Sequence, residues 1–176
     1  MTEVEAKHFG LLERWRGAMN LVGPGPLEPH FIDSRGAVAG LNAQGRWADL
    51  GSGAGFPGIA LAEAYPGAEV LLVESRQKKA QFLKRLRAEL GLPNLEVFHG
   101  RTEALQPGFD GVIGRAYRPP ADFLRDAQHL LGPGGVAVVL TGEPLPAQAD
   151  WEVHTSVRYP VPGGDRVRTV LRRGAG

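Results

Sequence analysis

The chain has 176 residues, with Lys+Arg 20 against Asp+Glu 19, a formal net charge of +1, 43% apolar residues and no cysteine. One domain of that length buries a proper core, two full-sized domains would be cramped, and the apolar fraction speaks against wholesale disorder. Zero cysteine excludes disulfides, thiolate zinc sites, iron–sulfur ligation and cysteine nucleophiles.

Thr2 to Leu21 reads as an amphipathic helix, because Val4, Phe9, Leu11, Leu12, Trp15, Met19 and Leu21 recur at helical spacing with charges between them. Gly23-Pro24-Gly25-Pro26 breaks it, and His30 to Leu41 follows as a second helix. Arg46 to Leu50 is a strand that runs into a glycine-rich turn, with a helix from Ile59 to Tyr65 after it. Glu69 to Glu74 is a buried strand; Ser75 is expected to cap a long basic helix, Arg76 to Leu90, closed by Gly91. Strands at Leu95–Phe98 and Phe109–Ile113 precede a helix from Pro119 to Leu131, which stops at Gly132-Pro133-Gly134-Gly135. Val136 to Leu140 is the fifth strand, and beyond a proline-rich loop come two more strand-like runs, Trp151–Tyr159 and Arg166–Arg172.

Strands alternating with helices imply βαβ units and a mainly parallel sheet. The last two runs have no helix between them, so an antiparallel hairpin is expected at the end of that sheet. The fold class is therefore α/β, seven strands, as one domain: residues 1–44 a small helical cap, residues 45–176 the core. Met1 to Gly10 carries Glu3, Glu5 and Lys7 where a signal peptide needs an apolar stretch, and no apolar run approaches the roughly 20 residues of a membrane span. A cytoplasmic protein without membrane contact is expected, and a monomer, since no long exposed apolar stripe demands a partner.

Gly 25 and Pro 14 together exceed a fifth of the chain, against roughly 12% in average usage. The surplus acts as punctuation, and its densest part is Asp49-Leu-Gly51-Ser52-Gly53-Ala-Gly55-Phe56-Pro-Gly58. Glycines after a first strand let backbone approach a ligand at the top of a sheet. The dinucleotide pattern G-x-G-x-x-G would need glycine at position 56, which is Phe. An acid, Asp49, stands two residues ahead of the first glycine, and Glu74 ends the second strand, where a carboxylate can accept from ribose hydroxyls. Turn and acid point to a nucleoside-containing cofactor, and the glycine spacing shifts the reading from nicotinamide towards S-adenosyl-L-methionine.

That segment resembles the cofactor loop of Rossmann-like S-adenosylmethionine-dependent methyltransferases. With its Phe-Pro-Gly extension, it resembles the bacterial ribosomal RNA small subunit methyltransferase G family, also called glucose-inhibited division protein B. Further matching pieces are Trp15 with Asn20-Leu21, His30-Phe-Ile-Asp33-Ser34, the stretch from Leu72 to Leu83, Gly100-Arg101-Thr102-Glu103 and Gly114-Arg115-Ala116. The resemblance implies methylation of N7 of a guanine in small-subunit (16S) ribosomal RNA, so ribosomal RNA or the small subunit is the expected partner. It also implies a cofactor site of Asp49, Gly51, Ser52, Gly53, Gly55, Phe56, Glu74, Ser75, Arg101, Thr102, Glu103 and Arg115. Arg101, Arg115, Arg118 and Arg168 would stand on the substrate side.

Guanine N7 attacks with its own lone pair and loses no proton, so alignment and water exclusion dominate and no acid–base catalytic residue is expected. The histidines 8, 30, 99, 129 and 154 show no metal-like spacing, and no metal is expected. His30 reads as a cap or hydrogen-bonding residue, His99 as solvent-facing, Trp15 and Trp47 as packing. Arg76, Lys78, Lys79, Lys84, Arg85 and Arg87 share one helix, readable as a solvated face or as phosphate contacts. Arg158, Arg166, Arg168, Arg172 and Arg173 make a second basic group, the better candidate for RNA backbone. Three features depart from the family: Thr141-Gly142 where a lysine precedes the glycine, Gly23-Pro-Gly-Pro26 in place of a Thr- and Arg-containing loop, and a shorter chain. They bear on substrate, and leave open another RNA, a small molecule, or a non-catalytic RNA- or ribosome-binding relative.

Overall fold

Thr2 opens the first helix with a reciprocal cap: its hydroxyl accepts from the Glu5 N–H at 3.0 Å, and the Glu5 carboxylate accepts from the Thr2 N–H at 2.9 Å. In the computed structural model, which describes residues 1–175, this helix is α1 (Glu3–Met19), closed by Asn20 in the left-handed conformation. It is followed by α2 (Glu28–Val38), β1 (Gly45–Leu50), α3 (Gly58–Ala64), β2 (Ala68–Glu74), α4 (Gln77–Leu90) and β3 (Leu95–His99). A single 3-10 turn, Thr102–Ala104, leads to β4 (Phe109–Gly114), α5 (Pro120–Leu130), β5 (Leu131–Thr141), β6 (Trp151–Val161) and β7 (Gly164–Arg173).

The seven strands form one sheet in the order β3-β2-β1-β4-β5-β7-β6. The first five are parallel; β7 runs antiparallel to both β5 and β6, which makes the C-terminal hairpin. Alternate residues point to opposite faces. Trp47, Val70, Leu72, Ile113 and Val138 pack under α1 to α4, while Ala48, Leu50, Val73, Val112 and Val139 pack under α5. The strand order reverses direction between β1 and β4. That is the place where sheets of this kind leave a crevice beyond the carboxyl ends of the strands.

Two local expectations are corrected. The long basic helix starts at Gln77 with Arg76 as its N-cap, and no side chain caps it; Ser75 faces a cavity instead. Gly132 to Gly135 do not lie outside the fifth strand but within β5, beside a register shift opposite Phe109 and Gly111. A Cβ on Gly135 would sit 3.0 Å from the Phe109 carbonyl oxygen, so glycine lets the two strands close up.

The hairpin is clamped onto α2. Gly36 has no room for a side chain, because the Tyr159 ring lies against its Cα. The Tyr159 hydroxyl donates to Asp33 at 2.8 Å, and burial beside that carboxylate pushes the phenol well above its ordinary range. The first and last segments of the fold thereby share one wall.

Candidate active site

Asp49, the last residue but one of β1, is fully buried. Its Oδ2 accepts from the Ser52 hydroxyl at 2.6 Å and from the Gly58 N–H at 2.9 Å, so one carboxylate ties both ends of the glycine loop. Its Oδ1 is buried with no partner. Burial raises its pKa to about 7, against the lowering effect of those two hydrogen bonds. Gly51, Gly53 and Gly55 have φ of 67°, 56° and 98°, a region L-residues with side chains disfavour. A Cβ on Gly53 would meet open space, its nearest neighbour being the Gly51 carbonyl oxygen at 3.8 Å. Glu74, at the end of β2, is 6% exposed and accepts from the Gly53 N–H at 3.3 Å. The loop, its acid and the strand end are therefore one cross-tied unit.

Beside it lies a cavity of about 180 Å³ lined by Gly51, Ser75, Arg101, Thr102, Glu103, Tyr117 and Arg118. The Tyr117 hydroxyl and Thr102 share a hydrogen bond of 2.8 Å across it, and the Tyr117 ring rests on Gly51. A second cavity, about 410 Å³, opens on the hairpin side of the same crevice; His30, Asp33, Arg115, Thr141, Pro162 and Arg166 line it. Phe56 sits between loop and cap: His8 stacks on it at 4.7 Å, His30 at 5.5 Å, and the Arg115 guanidinium lies 5.0 Å from its centroid. His8 bonds the Ala54 carbonyl at 2.7 Å, and burial pushes its pKa down to about 4. Burial also lowers Arg115, opposed by Asp33 and Asp49. A further cavity of about 340 Å³, bordered by Arg46, Glu69 and Phe109, lies at the opposite ends of the strands.

Of the four arginines expected on the substrate side, Arg115 lines the larger cavity, while Arg101 and Arg118 line the smaller. Arg118 is held by Glu103 at 3.6 Å and Asp126 at 3.2 Å. Arg168 is a correction. It is 6% exposed, and its guanidinium donates to the carbonyls of Gly36 at 3.1 Å, Ala37 at 3.4 Å and Ala39. These are the orphan carbonyls at the end of α2, where a cation also complements the helix dipole. Arg168 thus holds the cap to the hairpin, its guanidinium turned to the end of α2 and lining neither cavity. His99 is exposed and Trp47 buried.

His8, Asp33, Tyr117 and Arg166 also border the site; of these, sequence reasoning gave a functional role only to Arg166, as a candidate for RNA backbone. Glu5 and His8 carried a signal: both occupy the buried stripe of α1 beside Leu11 and Leu12, where a polar residue needs a reason. Tyr117 carried none that spacing reveals.

Fold and crevice together define a Rossmann-like methyltransferase. Residues 5–157 match the GidB family model, described as rRNA small subunit methyltransferase G, and the chain belongs to that family. It is 38% identical over 178 residues to the ribosomal RNA small subunit methyltransferase G of Burkholderia thailandensis, covering 94% of this chain and 73% of that one. The protein of the same name from Stenotrophomonas maltophilia is 40% identical over 168 residues, covering 89% and 79%. Among solved structures, the mitomycin 7-O-methyltransferase MmcR superposes with a TM-score of 0.66 at 18% identity, over 84% of this chain and 54% of that one.

Proposed function

We propose that this protein moves a methyl group from S-adenosyl-L-methionine to N7 of a guanine in small-subunit ribosomal RNA. The observation that carries the reading is the cradle at the crevice. Asp49 leaves one buried oxygen without a partner, and the space over Gly53 is open where any side chain would fill it. An unsatisfied buried carboxylate oxygen is costly alone and favourable against a cation. The donor set fits the cofactor: a carboxylate near its cationic end, Glu74 for ribose hydroxyls, and Ser75, Thr102 and Glu103 around adenine. When bound, S-adenosyl-L-methionine supplies an electrophilic methyl group on a positively charged sulfur.

The chain's part is alignment. Gly51, Gly53 and Gly55 bring backbone close, Phe56 walls the site from the cap side, and Arg115 stands between cofactor loop and larger cavity. Guanine N7 needs no deprotonation, and Asp49 and His8, both strongly shifted by burial, are engaged with the loop. The RNA reading draws on the family and on Arg76, Lys78, Lys79, Lys84 and Arg101, which make no ion pair among the described residues. Cations left free are available to phosphates. Thr141 lines the larger cavity, and its hydroxyl donates to the Glu143 carbonyl at 2.6 Å.

Purified protein incubated with S-adenosyl-L-methionine and either naked small-subunit RNA or the assembled subunit tests this, with methylation read at nucleotide resolution. One N7-methylguanine is the expected result. Methylation of a small metabolite alone, or no transfer by folded protein, overturns it.

A further inference from the structure

Recognition of the base poses a problem that the larger cavity resolves. The usual arginine contact to guanine is bidentate, on O6 and N7. Here that contact would occupy the lone pair that must attack the methyl carbon. A guanine presented for reaction at N7 has to be read on its other edge, which offers N1–H and the N2 amino group as donors. The cavity wall must supply an acceptor. Among the described residues lining it, Asp33 is the sole carboxylate. Arg115 and Arg166 can only donate, while Thr141, whose hydroxyl proton goes to the Glu143 carbonyl, and His30 offer neutral acceptors, so Asp33 is the one charged acceptor among these side chains.

Asp33 is 6% exposed, and its oxygens are used unequally. Oδ1 accepts from Tyr159 at 2.8 Å. Oδ2 lies 3.5 Å from Arg115 Nη1 and 3.9 Å from Arg166 Nε. The second is too long for a hydrogen bond and the first lies at its outer limit, so Oδ2 retains acceptor capacity. We propose that Asp33 is the residue that selects guanine, accepting from its N1–H and N2 amino group while N7 faces the methyl. This rests on the N7 reading above.

Charge strengthens the case. As the N7–CH₃ bond forms and the sulfur–methyl bond breaks, its electron pair stays on sulfur and the positive charge passes to the base. No proton moves. Two arginines beside a base turning cationic would oppose the reaction; a carboxylate on the same wall offsets them. N1–H also grows more acidic as the ring becomes cationic, so its hydrogen bond to Asp33 strengthens towards the transition state and favours the rate as well as binding.

The test is a chemical double-mutant cycle. Once the methylated guanine is mapped, it is replaced by inosine, which keeps N7 and N1–H but lacks the N2 amino group. Wild-type protein should lose about tenfold in kcat/KM on inosine, the worth of one hydrogen bond to a charged group. Asp33→Asn should lower kcat/KM on guanosine ten- to a hundredfold, the range for a bidentate base contact, and should distinguish guanosine from inosine less than wild type does, since its amide keeps one uncharged acceptor oxygen. Tyr159→Phe frees Oδ1 but keeps the carboxylate, so its guanosine-to-inosine ratio should match wild type. An unchanged ratio in Asp33→Asn overturns the proposal. If that variant fails to fold, wild type decides alone, and equal rates on the two bases overturn it. Absence of any N7 methylation by wild type instead refutes the functional reading, a result seen before inosine is introduced.

Discussion

In the glycine loop beside the smaller cavity, Asp49, Ser52 and Gly53 are close in sequence and are fastened to one another, to Gly58 and to Glu74, largely through backbone N–H groups. Around the larger one, His30, Asp33, Arg115, Thr141 and Arg166 come from separate stretches and meet through side chains, at ion-pair distances with slack in them. A cofactor shared across a family is served by backbone, which tolerates no change of shape. A target base is served by side chains, which sequence drift can exchange without disturbing the sheet. Thr141, read in the sequence as a departure from the family pattern, lies on this second wall.

The sharpest way to break the comparison is Gly53→Val. Its Cβ enters the open space of the cradle from a left-handed residue, so cofactor affinity should fall at least a hundredfold in calorimetry, with about 1–2 kcal/mol of stability lost. Retained affinity would mean that the backbone cradle is not where the cofactor sits. Arg168→Ala should act on the other wall through the fold alone. Three carbonyls lose their donor, and urea denaturation should show a loss of about 3 kcal/mol, with cofactor affinity of the folded protein unchanged. RNA affinity falling with stability intact would return Arg168 to the substrate side.

Acidity separates the two regions more gently. Asp49 must be ionised to attract a cation, and its pKa is raised to about 7. Below pH 7 cofactor binding has to expel that proton, so affinity should drop about tenfold per pH unit between 7 and 5, near 1.4 kcal/mol each, and be flat just above. A pH-independent dissociation constant over that range would remove Asp49 from the role. The smallest effect belongs to Arg101→Ala: a few-fold loss of RNA affinity, with the salt dependence shallower by about one phosphate.

The same contrast explains what the sequence discloses. The cross-tied loop of Asp49, the three glycines and Glu74 is legible because it lies in short spacing and in glycine's own freedom, and the parallel run of strands follows from their alternation with helices. The larger cavity is not, since nothing in the string brings Asp33 near Tyr159 and Arg166 before β7 folds back against β5. Arg168 misleads for the same reason. In sequence it is one of several arginines on a polar hairpin; only the approach of α2 turns it inward. Ser75 misleads more locally, because a good capping residue lies one position too early and the chain caps with Arg76 instead.

The clamp of Gly36, Tyr159 and Arg168 also orders events during synthesis. Domains begin to form from the N-terminal side as the chain emerges. The glycine loop, Glu74 and the strands that hold them are all made before β6 and β7. The wall that carries Asp33 waits for Tyr159 and Arg168, and Arg166 is later in the chain than every other residue of the cavity. A half-made chain can therefore assemble the cofactor cradle while its base pocket is still open on one side, so the capacity to select a nucleotide is the last thing the fold acquires.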